Sequence, residues 1–174
     1  MFYSIKNYLN NLSLIQDVKP SIKKGFSFGL TSGIITTLGL IIGLYSGTNS
    51  TLVILGGIFT IAIADAMSDA LGIHMAEESE NKYSPKEIWE ATISTFLSKF
   101  IVALTFIIPV LLLRLFTAVI VCIVWGLSLI ISFSYYLAKQ QKIKPHEVIL
   151  EHLTIAIIVI VVTYYVGILV ATLA

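Results

Sequence analysis

The chain is poor in charge: only 12% of its 174 residues are Asp, Glu, Lys or Arg, and the formal net charge is +1. A soluble domain usually carries about twice that share, and so even a balance gives no reason to expect a nucleic acid as partner. A single cysteine, Cys122, excludes a disulfide framework within the chain and a cysteine cluster for metal. In its apolar run it reads as a small buried residue. Phosphate-binding loops, HExxH-type spacing and nucleophile–base pairings are missing, so neither an enzymatic activity nor a permanently bound cofactor is expected. Strand alternation is missing as well, and a small open sheet could not span a bilayer. The first residues lack the continuous apolar core and small-residue cleavage site of a signal peptide.

What is present is hydrocarbon. Hydrophobic residues make up 57% of the chain and mean hydropathy is +0.94, which points to an all-α integral membrane protein, a lipid bilayer being its first partner. Five segments, about 25–45, 52–75, 91–113, 116–137 and 148–173, reach the roughly 20 residues that a membrane helix needs. They form one transmembrane domain over 21–174, with a short acidic connector at 76–90. Ahead of it, Phe2, Ile5, Leu9, Leu12 and Ile15 recur at helical spacing, which predicts an amphipathic interfacial helix over 1–20. All ten lysines fall at one end of the five spans, and only Arg114 lies at the other. The positive-inside rule then expects a cytosolic N-terminus and a C-terminus outside or in a lumen, in the cell membrane if the source is prokaryotic.

Polar residues inside the spans carry the functional signal. On a helical wheel Asp65, Ser68, Asp69, Gly72 and Ala76 share one stripe of the second span, Met75 flanks it, and His74 and Met67 point roughly the opposite way. Carboxylates at such depth cost several kcal/mol, by roughly 3 kcal/mol each on insertion scales, and normally face a partner helix or a wet cavity. Asp69 lies about 12 Å from the cytosolic boundary set by Glu77, at 1.5 Å per residue. Ser32 reaches a similar depth from Lys24, and Asp65 and Thr36 share a deeper level. Two carboxylates with hydroxyl oxygens at matched depth suit a divalent cation. Lys99 sits at comparable depth in the third span, where it can pair with an acid or serve coupling, or else reach back to the headgroups.

Around this centre, Glu77, Glu78, Glu80, Glu87 and Glu90 crowd the connector as candidates for capturing cations before they enter. His74, His146 and His152 share no zinc-like spacing. In the first span Gly25, Gly29 and Gly33 are spaced by four, and Gly39, Gly43 and Gly47 repeat the pattern on a rotated face. Such spacing lets helices approach closely. Two patches on two faces lead to the expectation that at least one contacts a second copy, in a homodimer. Pro109 removes a backbone hydrogen bond inside the third span and predicts a kink there.

The glycine-rich "GLTSGIITTLGLIIGLYSG", the small and acidic end of the second span, "IIPVLLL" and "VTYYVGILV" stand in an order that resembles the vacuolar iron transporter family. The resemblance covers roughly Gly25 to Gly167 and implies a dimeric five-helix metal transporter. Family members carry an Asp-Gly pair in the first span, which falls here on Ser32 and Gly33. Their second-span Met and Glu fall on Asp65 and Asp69. The site would thus keep two acids and lose its thioether, which removes a soft ligand and leans toward harder ions such as manganese. The extended glutamate-rich domain that plant-type members insert after the second span is absent, so the chain would be a short form.

What the resemblance implies, together with the acids, is export of Fe2+ or Mn2+ from the cytosol in exchange for protons. Asp65, Asp69, Ser32, Thr36 and Met75 would line the metal site. Two alternatives stand beside this reading. One is a transporter on the same scaffold that couples protons to a non-metal substrate through Lys99 and an aspartate. The other is a non-transporting membrane scaffold in which the acids only satisfy helix contacts.

Overall fold

A computed structural model describes residues 18–173, so the interfacial helix expected over 1–20 lies almost wholly outside the described residues. The helices are α1 (Pro20–Thr48), α2 (Thr51–Ser79), α3 (Pro85–Thr105), α4 (Ile107–Leu112), α5 (Leu115–Gln141) and α6 (Pro145–Ala171). Taking α3 and α4 as one broken span, five helices are long and apolar enough to cross a membrane. No strand occurs among the described residues. The chain is therefore all-α with the composition of a multi-pass membrane protein.

Each span begins ahead of the apolar segment that announces it. Local chemistry fixes the ends. Proline opens α1, α3 and α6, where a missing N–H costs nothing. Ser84 and Glu87 close a reciprocal capping box on α3. Asn49 and Lys142 end α1 and α5 in the left-handed conformation, with φ of 47° and 58°. The connector between α2 and α3 thereby shrinks to five residues, 80–84. Acidic residues that composition assigns to a loop continue the helices instead.

α1 is the hub and touches each of the other long helices. Its glycines explain how. A Cβ on Gly25 would collide with the Ala91 carbonyl, and one on Gly29 with the Thr95 carbonyl and Ser98 hydroxyl. Gly25 and Gly29 thus let α3 lie almost on the α1 backbone. Gly39 and Gly43 meet Val159 and Thr163 of α6, and Gly47 meets Gly167. Both glycine faces are occupied by helices of the same chain. Four neighbours crowd around this single central helix, and Gly43 and Gly47 stay partly exposed on the α6 side.

The packed interior divides along its length. Toward the α1–α2 connector it is apolar, built on Ile34, Leu38, Ile41, Ile54, Ile58, Phe106 and Val110. Toward the lysine-rich end it is polar. The kink expected from Pro109 is a break at Phe106, three residues earlier. Proline cannot donate to the Thr105 carbonyl, so the helical ladder lapses there. Neighbouring groups support the break: Trp125 Nε1 donates to Thr105 Oγ1 at 3.1 Å, and the Cys122 thiol approaches the Phe106 carbonyl at 3.8 Å.

Candidate functional site: a buried lysine between two aspartates

Lys99 is the largest fully buried side chain of the described chain, 1% exposed. A lysine so deep must be paired. Its room comes from Gly33, because a side chain there would meet the Lys99 Cα, Cγ and carbonyl oxygen at 3.2 Å. The lysine stem crosses the bare face of α1 and brings its ammonium to α2. Nζ donates to Asp69 Oδ2 at 2.5 Å and to Ser32 Oγ at 3.0 Å. It also lies 2.6 Å from Asp65 Oδ2, off the hydrogen-bonding direction, which makes that contact a charge–charge one. Ser32 Oγ donates in turn to Asp69 Oδ2 at 2.6 Å. One ammonium, two carboxylates and one hydroxyl from three helices close a single network of formal charge −1.

The residues placed at matched depth by counting along the helices do converge: Ser32, Asp65, Asp69 and Lys99 touch. Lys99 pairs with both acids rather than with one, and its ammonium fills the position in which the sequence expects a cation. One turn beyond Ser32, the Thr36 hydroxyl is buried without a hydrogen-bond partner among the described residues, as is that of Thr37. A threonine inside a helix ordinarily satisfies its hydroxyl on the carbonyl four residues back. Thr36 keeps its oxygen available at the level of Asp65.

Other expectations need correction. Met75 is 61% exposed on the outside of α2 and is no part of the network. The buried line of α2 runs through Ala62, Ala66, Ala70 and Glu77, which turns Met75 outward. The shared stripe is split by the same rotation. Asp65 and Asp69, with side chains 32% and 20% exposed, sit on its inner edge, whereas Ser68, Gly72 and Ala76 face out.

The connector glutamates do not gather into a capture cluster. Glu77 is buried against Lys24, Glu87 caps its own helix through Ser84, and Glu90 binds Lys19 and Ser21. Glu80 lies 3.6 Å from Lys82, while Glu78 is exposed. Among the described residues no group of three or more His, Cys, Asp or Glu is arranged to hold a metal ion.

Sequence reading missed the roles of two histidines and of Glu77. His74 Nδ1 meets Thr92 Oγ1 at 3.0 Å and its ring packs edge-on against Trp89, tying α2 to α3. His152 Nδ1 meets the buried Ser134 Oγ at 2.7 Å, tying α5 to α6. The pairings join residues far apart in the chain, and nothing in their local spacing signals them. Glu77 has a signal in retrospect, for it lies seven residues after Ala70 on the buried line of α2.

No protein-family model matches this chain, and no curated protein does.

Proposed function

We propose that the chain is a membrane transporter that exchanges a cation for protons at the Lys99–Asp65–Asp69 network, exporting a divalent metal such as Mn2+ or Fe2+ from the cytosol. The observation that carries this reading is the buried ammonium held between two carboxylates in the middle of the helices. Such charges are costly in a membrane protein and mark ion or proton pathways. In the resting form Lys99 supplies the positive charge. When it gives up its proton to the cytosolic side, the two carboxylates, Ser32 and Thr36 offer only oxygen donors, which suit Mn2+ or another hard divalent ion. The network then passes from −1 with the ammonium to neutral with the metal and an uncharged amine. Metal release on the far side lets Lys99 take a proton from there and close the cycle. The break at Phe106 lies on the helix that carries Lys99 and gives that helix a joint at which to bend.

The lysine distribution supports a cytosolic N-terminus, which puts the Lys24–Glu77 end in the cytosol and the apolar plug of Ile54, Ile58 and Phe106 on the far side. A homodimer belongs to the same proposal, on a different face from the glycines of α1. Gly56, Thr60, Ala64, Ser68, Gly72 and Ala76 form an exposed stripe of small residues at intervals of four along α2. Among the described residues, nothing beyond the local helix backbone lies within 4 Å of a Cβ built on Gly56 or Gly72. Such a stripe suits close helix association. The half-covered Asp65 and Asp69 flank it, and a second copy there would shield them from lipid.

One observation favours the non-metal alternative: Lys99 already lies against both acids. In that case the ammonium stays and only the proton is exchanged, coupled to another solute. Proteoliposomes separate the readings. Mn2+-dependent proton flux is expected in the wild type and is expected to fall by about 100-fold, the equivalent of about 2.7 kcal/mol, in Asp69→Asn or Asp65→Asn. Flux that ignores every divalent ion, with no metal binding by calorimetry, removes the metal reading. Flux that survives both substitutions removes the network as its centre.

A further inference from the structure

Glu77 is a second charged side chain buried by the helices that hold Lys99, and it is 1% exposed. Among the described residues neither of its carboxylate oxygens receives a hydrogen bond. Its one charged partner among the described residues is Lys24, whose Nζ lies 3.1 Å from Oε1. Lys24 itself is 43% exposed, and its ammonium sits 5.2 Å from the centre of the Tyr83 ring. The acid is thus fixed and dry, and its counter-charge reaches in from water on a flexible stem.

The position matters as much as the pairing. Glu77 follows Asp69 by eight residues on α2, and Lys24 precedes Ser32 by eight on α1. Two lysine–carboxylate contacts therefore stand along the α1–α2 seam, the outer one with a lysine of α1 and the deeper one with Lys99 of α3, two turns or about 12 Å apart. The deeper one is closed by the Ser32 hydrogen bonds. The outer one leaves carboxylate lone pairs unmet, which is costly for a buried ion pair that serves packing alone. Nearby acids are engaged elsewhere, Glu90 by Lys19 and Ser21 and Glu87 by Ser84, so Glu77 has no competitor for the arriving charge from those two.

We infer that Glu77 is an outer cation station, where a cation arriving from the lysine-rich end displaces the Lys24 ammonium before it passes to Asp69 and Asp65. Lys24 then acts as a tethered competitor, and the Tyr83 ring gives the displaced ammonium a resting place. The inference rests on the exchange reading above and extends it, because lysine displacement occurs twice along one seam.

Mn2+ binding to the full-length chain, followed by electron paramagnetic resonance, tests it separately from transport. The variant Asp65→Asn, Asp69→Asn, Lys99→Met removes the deep site without stranding a charge. It is expected to keep one weak Mn2+ site, lost when Glu77→Gln is added and tightened about tenfold when Lys24→Met is added instead. In the otherwise wild-type chain, Glu77→Gln is expected to lower the Mn2+ bound per chain by one. Absence of the residual site, its survival in Glu77→Gln, or an unchanged count in the single variant overturns the inference. A residual Glu77-dependent site in the triple variant, together with no Mn2+-dependent proton flux in the wild type, upholds the station and instead refutes the exchange reading.

Discussion

Lys99→Met is expected to lower stability by about 3 kcal/mol, the lower end of the range for breaking a buried pair by removing one partner. Methionine fills nearly the same volume along Gly33, so packing is conserved and the effect is electrostatic. What remains is Asp65 and Asp69 side by side with no counter-charge, of which only Asp69 keeps a hydrogen bond, from Ser32. A further result follows from the same cause. The triple variant with both aspartates changed to asparagine should recover most of the lost stability, because it strands nothing. Unfolding in detergent, followed by helical signal, reads both. A Lys99→Met protein as stable as the wild type at neutral pH would contradict the network.

The second large effect concerns association. Ser68→Leu combined with Gly72→Leu places two bulky side chains on the exposed stripe of α2. Both positions face away from the rest of the described chain, and a Cβ at Gly72 meets nothing beyond the local helix backbone within 4 Å, so the single chain should fold as before. Close backbone approach by a second copy would be blocked. The mass of the detergent-solubilised protein is expected to fall from dimer to monomer, with the unfolding midpoint of the chain little changed. A wild type that is already monomeric, or a dimer indifferent to both leucines, would refute the interface.

The five spans were legible because hydrocarbon thickness imposes a length on apolar runs, and no other feature of this sequence produces them. Helix ends were not. Lys23 and Lys24, Glu77 and Glu78, and Lys86 to Glu90 continue their helices past the apolar windows. Composition reports where the membrane stops, whereas backbone hydrogen bonding and caps decide where a helix stops. Depth counting brought Ser32, Asp69 and Lys99 to one level and Asp65 with Thr36 to the next, because rise per residue is fixed in every helix.

Rotation is not fixed in that way. Whether Met75 faced in or out depended on which line of α2 met α1 and α3, and the small residues Ala62, Ala66 and Ala70 took that line. The glycines of α1 were legible as contact surfaces but carry no label for their partner. Gly33 had a further role that spacing could not reveal, since the lysine stem that needs its missing side chain lies 66 residues away.

Diffraction from crystals grown with and without Mn2+, with anomalous data, tests the exchange of Lys99 for a cation most directly. The account predicts anomalous density between Asp65 and Asp69 in the Mn2+ crystals, with the Lys99 amine withdrawn from both carboxylates. Lys99 still bonded to Asp69 in both, with no anomalous density beside the two acids, would contradict it.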